Sequence, residues 1–153
     1  MQNAKKGWMV VSGLALAAVL AGTAPAQEKP KSLYARLGGY DAIAAVTDDF
    51  FGRMEKDPQL SRFFKYLSTD TKRRARQLTV DLLCHMTGGP CFYIGRDMKT
   101  SHQGMGITPE DWELSVKYLK ETLNHFKVPA KEQEEVLKAI EATRKDIVEQ
   151  PRK

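Results

Sequence analysis

One histidine in the 153-residue chain has neighbours that suit it for chemistry. His102 lies in the stretch from Tyr93 to Thr108, with Met98 four residues before it and Met105 three after. Gly95, Gly104 and Gly106 loosen the backbone on either side, and Thr108-Pro109 opens a new helix. A neutral imidazole offers one nitrogen to a borderline metal, and long apolar side chains can wall a flat apolar group. Met98, Met105, Ile107 and Tyr93 around His102 would therefore suit an iron porphyrin, which needs one axial nitrogen and an apolar cavity. On spacing alone, an ordinary surface or core histidine, with the methionines as core filler, is the commoner reading of such a stretch.

The remaining reactive side chains are less organised. His85 falls near the end of a helical stretch and His125 far along another, and both read as surface or polar-core residues. Cys84 and Cys91 flank Gly88-Gly89-Pro90. They do not form a CxxC motif, and a pair this close in sequence can bridge in an oxidising compartment if the geometry allows. The cluster Lys72-Arg73-Arg74-Ala75-Arg76 has no interleaved aromatics and no nucleic-acid motif around it, so it reads as a solvated helix face. No nucleic-acid partner is expected.

The elements that must position His102 are all helical. A short helix carries Leu33, Tyr34 and Leu37 and stops at Gly38-Gly39. Asp41 caps a second, with Ile43, Val46, Phe50 and Met54 at helical spacing, which ends before Pro58. Asp57-Pro58 starts a brief helix with Leu60, Phe63 and Phe64. Thr69 or Asp70 opens a long helix through Leu78, Leu82 and Leu83 to Gly88. A loop with a short helix near His102 follows. Thr108-Pro109-Glu110-Asp111 then begins a helix burying Trp112, Val116, Leu119, Leu123 and Phe126, and Val128-Pro129 separates it from a last helix bearing Val136, Ile140 and Ile147. No alternating strand pattern of useful length appears, so the chain is all-α.

The first 26 residues have another character. Lys5 and Lys6 precede an apolar run from Trp8 to Ala21, and Ala24-Pro25-Ala26 offers a small-x-small cleavage site. This is the pattern of a secretory signal peptide, and the run is short for a membrane span. Residues 1–26 are expected to be cleaved and 27–31 to form a polar leader before a domain over 32–150. Thr23 stands where a lipidated cysteine would be needed. Cleavage removes Lys5 and Lys6 and no acid, leaving 22 basic against 19 acidic residues. An exported protein, periplasmic or secreted, with no stable membrane anchor after cleavage, is the expectation.

The run Gly95-Arg96-x-Met98-Lys99-x-x-His102-x-Gly104-x-Gly106-Ile107-Thr108 resembles the proximal segment of the group I truncated haemoglobins. Leu33-Tyr34-Ala35-Arg36-Leu37-Gly38-Gly39, Leu60-Ser61-Arg62-Phe63-Phe64 and Gly88-Gly89-Pro90 match further segments of that family, in order, from about Ser32 to about Gln150. The resemblance implies a truncated globin fold, a two-over-two helical sandwich, binding one haem b per chain. It places the proximal iron ligand on His102. Met98, Tyr93, Met105, Ile107 and Trp112 are expected near the porphyrin, Phe63 and Phe64 at its opposite edge. Lys99 and one of Arg73, Arg74 or Arg76 are candidates for pairing with the propionates.

The distal side departs from the family pattern. Many oxygen-binding members carry a Tyr where Asp48-Asp49-Phe50-Phe51 places Phe51. Counting back from Gly88 puts Ala75, Leu78 and Thr79 at the distal helix positions, whereas a slip of two residues would exchange Thr79 for Gln77. Either register leaves a pocket of low polarity. The implied function is binding of the diatomic ligands O2, NO and CO, with oxidation of NO to nitrate as an associated activity and an electron-donating reductase as partner. The alternatives are a haem redox or electron-transfer or sensor protein, and a helical interaction module that keeps only the fold.

Overall fold

The computed structural model describes residues 30–149. The expected signal peptide and most of the polar leader lie outside these residues. Seven helices run in the order α1 Leu33–Arg36, α2 Tyr40–Lys56, α3 Thr69–Met86, α4 Met98–His102, α5 Pro109–His125, α6 Ala130–Glu141 and α7 Arg144–Ile147, with a 3-10 turn at Leu60–Phe63 between α2 and α3. No strand occurs among the described residues.

The layers follow from which apolar stripes meet. On one side of α2, Ile43 packs with Val80 and Cys84 of α3, and Tyr34, Tyr40, Ala44 and Leu83 close around them. On its other side Val46 and Phe50 join Leu119 and Leu123 of α5 and Val136 of α6. One pair, α2 and α3, therefore lies against a second pair, α5 and α6, which is the two-over-two arrangement. α1 bridges the layers, with Leu33 and Leu37 in the second cluster and Tyr34 in the first. Arg36 fastens it to α6 through Glu132 at 2.9 Å and through Glu135.

Most helix boundaries fall where the capping residues put them. Asp57 Oδ1 accepts from the backbone N–H of both Gln59 and Leu60, seating the 3-10 turn. At α5 the Thr108 hydroxyl accepts from Asp111 N, and the Asp111 carboxylate accepts from Thr108 N, a reciprocal capping box. Four boundaries differ from the sequence reading. α2 starts two residues earlier, with Gly39 at the cap position, so Asp41 sits in the first turn as an acid facing the helix dipole and does not cap. Ser68, not Thr69 or Asp70, caps α3, its hydroxyl accepting from Thr71 N at 3.1 Å. Phe126 is 40% exposed, because α5 ends in a Schellman turn with Lys127 at φ 54° and the helical period stops there. The last helix is broken after Glu141 and resumes as α7, the Thr143 hydroxyl donating back to the Ile140 carbonyl.

Between α3 and α4 the chain is irregular, and one bond fixes its start. Cys84 and Cys91 form a disulfide, with their Cα atoms 5.8 Å apart. Gly89 lies beneath it, where a Cβ would collide with the Tyr34 ring and Cys84 Sγ, so only glycine lets the turn close on α1.

Candidate functional site

The local sequence makes a compact carrier for His102. Asp97 caps α4 twice over, Oδ1 accepting from Thr100 N and Oδ2 from the Thr100 hydroxyl, both at 2.8 Å. Those hydrogen bonds hold its carboxyl below the usual carboxylate range. The helix then lasts a little over one turn, long enough to bring the His102 ring back to the Met98 carbonyl. Nδ1 lies 2.8 Å from that oxygen. The carbonyl can only accept, so Nδ1 is the donor, and in the neutral ring Nε2 is the nitrogen with the lone pair. No hydrogen bond engages Nε2 among the described residues. A half-buried imidazole fixed through one nitrogen, with the other free to donate electrons, is the arrangement of a metal-ligating histidine with its outer partner in place.

α4 itself has no buried residue and leans on α7. The chain after α7 returns to the loop beyond His102, where Glu149 N donates to the Ile107 carbonyl at 2.9 Å. Ile107 is buried and so is Trp112, whose indole N–H donates to Glu141 Oε2 at 3.2 Å. Met98 is half-buried, while Met105 is 39% exposed and Lys99 is exposed as well. Before α4, the Tyr93 hydroxyl donates to the Arg96 carbonyl at 2.6 Å and its ring lies over Gly95, where any Cβ would strike it.

Across the fold, Phe51 and Phe64 meet edge to face with centroids 5.8 Å apart, and both are half-buried. Phe63 sits under the Arg62 guanidinium, 4.3 Å from its centroid. Arg62 and Gln59 also donate to the buried Asp111, tying the 3-10 turn to the start of α5. Burial alone would push the Asp111 carboxyl up, but hydrogen bonds from Arg62, Gln59 and Thr108 outweigh it and hold the group at about 2. This knot was missed in the sequence because its partners stand about fifty positions apart; only the cap at Thr108 was visible.

On α3, Gln77 donates to the Tyr40 hydroxyl and, at 3.0 Å, to Asp81 Oδ1. Its amide is thereby held against the start of α2. Ala75, Leu78, Thr79 and Leu82 lie on a different stripe of the helix, all half-buried and outside both core clusters. The Thr79 hydroxyl donates to the Ala75 carbonyl at 2.9 Å.

The expected site residues thus form local groups, one around His102 and the ends of α4 and α7, one at Phe51 and Phe64, and one on α3. The open surface grooves between α5, α6 and α7, lined by Val116, Leu137 and Arg144 among others, contain none of them. Of the basic candidates, Arg76 is paired with Asp48 and Arg73 with Asp70, whereas Arg74 and Lys99 make no ion pair among the described residues. His85 Nδ1 lies 3.3 Å from the Cys91 carbonyl and His125 Nδ1 3.2 Å from Asp49, so both stand at the surface with polar neighbours. No cluster of three or more His, Cys, Asp or Glu suited to a bare metal ion occurs among the described residues.

Two helix pairs stacked two over two, with a histidine on a minimal helix between irregular segments, define a shortened globin. The family model of bacterial-like globins matches residues 32–149, and the chain belongs to that family. It is 33% identical to the group 1 truncated hemoglobin of Tetrahymena pyriformis over 120 residues, 78% of this chain and 97% of that one. It is 36% identical to the group 1 truncated hemoglobin of Mycolicibacterium paratuberculosis over 112 residues, 73% of this chain and 80% of the other. The crystal structure of the Tetrahymena pyriformis protein in its Fe(III) form superimposes with a TM-score of 0.71 at 30% identity, covering 78% of this chain and all of that one. The cofactor is haem, and the residues present fit it: one oriented imidazole with a free nitrogen, and half-buried apolar side chains that the two core clusters do not use.

Proposed function

We propose that the protein is an exported haem protein that binds O2, NO and CO reversibly, with His102 as the proximal iron ligand. The observation that carries this reading is the Nδ1 contact of His102 with the Met98 carbonyl, which leaves Nε2 as the donor atom. Haem held by His102 would supply an iron that binds the gas and, when ferrous, the one electron needed for NO and O2 to become nitrate. A reductase would restore that electron.

The chain's own residues set what the gas meets. Phe51 and Phe64, with Ala75, Leu78 and Thr79, are the proposed distal wall, and Tyr93, Met98, Met105, Ile107 and Trp112 with Phe63 complete the apolar lining. The fixed amide of Gln77 supports the register with Thr79 on the haem side. Lys99 and Arg74 are the cations free to meet propionates. A site with so few donors holds a charge-accumulating O2 weakly and treats CO and NO more evenly.

Export is proposed from the segment at residues 1–26, with cleavage after Ala26, and the Cys84–Cys91 disulfide accords with an oxidising compartment. Among the described residues no helix is long and apolar enough to cross a membrane. The test is an absorption spectrum of purified protein, ferrous, with and without O2 and CO, together with the mass of the N-terminus after export. A Soret band is expected, from a five-coordinate ferrous form whose band shifts when CO binds. A six-coordinate low-spin ferrous form would favour a redox or electron-transfer role, and the absence of a Soret band would leave only a helical interaction module.

A further inference from the structure

The Cys84–Cys91 bond is the only cross-link the sequence permits, and it joins the helix of the proposed distal wall to the run that leads into His102. Cys84 is fully buried on α3 with Ile43 and Val80, and Cys91 packs at the edge of the same cluster. The turn between them is held without sulfur. Gly89 N donates to the Cys84 carbonyl at 2.8 Å, the Thr87 hydroxyl to the Leu83 carbonyl at 2.7 Å, and Tyr34 N to the Thr87 carbonyl at 2.8 Å. A bond needed only to close that turn would be redundant. Beyond it the support is thin. From Pro90 to Arg96 no backbone–backbone hydrogen bond occurs among the described residues. The Tyr93 and Ser101 hydroxyls both donate to the Arg96 carbonyl, contacts that stay within this run and α4. Only His85 Nδ1, 3.3 Å from the Cys91 carbonyl, reaches it from α3, so the disulfide is its one covalent anchor upstream of His102.

We propose that this pair is a redox latch on haem retention: oxidised, it holds the run that carries His102 and the haem stays; reduced by a dithiol, it frees that run and the haem leaves faster. The proposal rests on His102 as the proximal ligand. The bond can be opened from one side, because Cys91 is half-buried whereas Cys84 is sealed in the core. A thiolate of the dithiol attacks Cys91 Sγ and forms a mixed disulfide, the bond between the two cysteines breaks, and Cys84 leaves as a thiolate that takes up a proton. The second thiol of the reductant, giving up its proton, attacks the reductant's own sulfur in the mixed disulfide and expels Cys91, which is protonated in turn. Two electrons and two protons thus pass to the cysteines, and the dithiol becomes a disulfide. The hydrogen-bonded turn keeps the two thiols close, so oxidation can close the latch again.

The test is transfer of haem from the loaded ferric protein to an excess of apomyoglobin, followed at the Soret band. The oxidised wild type is compared with wild type reduced by dithiothreitol, which is then removed under argon, the thiols being counted by alkylation. The reduced form should lose haem about tenfold faster, a moderate factor because the ring that opens is short. Reoxidation should restore the slow rate. Cys84→Ser with Cys91→Ser should release haem as fast as reduced wild type and ignore dithiothreitol. The wild-type comparison stands by itself if that variant does not fold. In the haem-free protein, reduction should speed hydrogen exchange at the α4 amides while the core amides of α2 and α5 are still protected. Equal haem loss from the oxidised and reduced forms would overturn the latch, as would faster loss with α4 exchange unchanged. Normal haem binding by His102→Ala would instead remove the ligand assignment beneath it, and the latch with it.

Discussion

Nδ1 of His102 lies 2.8 Å from the carbonyl oxygen of Met98, one turn back along the same five-residue helix. This contact selects the tautomer, and the tautomer selects which nitrogen can bind iron. His102→Ala should therefore abolish stoichiometric haem uptake, or leave uptake that added imidazole restores. Titration of the apoprotein with haemin, followed at the Soret band, checks this, and a variant with full and spectrally normal binding would refute the assignment.

The proposed distal wall gives a kinetic prediction. Phe51 stands edge-on to Phe64 and offers no donor, while the Gln77 amide is occupied by Tyr40 and Asp81. A phenol introduced by Phe51→Tyr should slow O2 release by about ten- to a hundredfold, since a charge-assisted hydrogen bond is worth about 1.5–3 kcal/mol. CO release should scarcely change. Stopped-flow dissociation on wild type, Phe51→Tyr and Gln77→Leu decides the matter. Slow release in the wild type that speeds up only in Gln77→Leu would mean that Gln77 reaches the gas after all.

Asp111 links acid stability to one knot. Its carboxyl is held at about 2, against an ordinary value of 3.8. A depressed carboxyl stabilises the fold fully above the unfolded value, and the contribution fades as pH falls through the folded one. The difference corresponds to about 2 kcal/mol, present at pH 5 and above and lost between roughly pH 4 and 2. Asp111→Asn should thus unfold at lower urea than the wild type at neutral pH, with the gap closing towards pH 2. A gap independent of pH would show that the carboxylate charge is not its source.

The disulfide should appear in non-reducing mass spectrometry of exported protein as a deficit of two hydrogens. Replacing Cys84 and Cys91 together by Ser should cost about 2 kcal/mol, the loop-closure value for a bridge spanning so few residues. Two alkylatable thiols in exported material would contradict the pairing.

Where signals were local, the sequence was legible. Thr108-Pro109-Glu110-Asp111 carries its capping box within four residues, and Asp57-Pro58 seats the 3-10 turn in the same way. His102 drew the sequence reading because its motif is contiguous, and the structure sets its Nδ1 against the Met98 carbonyl. Ser68 was passed over because Thr69 and Asp70 cap equally well by type, and only the Thr71 contact distinguishes them. Gln77 remained undecided because a slip of two residues turns a helix face by about 200°, and the partners that fix it, Tyr40 above all, stand far off in sequence. The contact of α7 with α4 was invisible for the same reason. Its residues carry no motif, and the break at Ala142 and Thr143 that aims them there shows only in three dimensions.

α4 is shorter than any helix that sustains itself in water, it buries no residue, and its main support is a second helix of four residues. Its backbone amides should be among the first to exchange with solvent when haem is withdrawn, because little besides the capping carboxylate of Asp97 and the brace of α7 then keeps it wound. On the proposed ligation, taking up the cofactor and ordering this segment would be one linked event, in which the histidine acts as a fastener for the polypeptide as much as a ligand for the metal. The lifetime of the loaded protein should then depend on how often α7 lets go of α4, a mechanical property of the C-terminal end of the described chain, which Glu149 N ties to the Ile107 carbonyl.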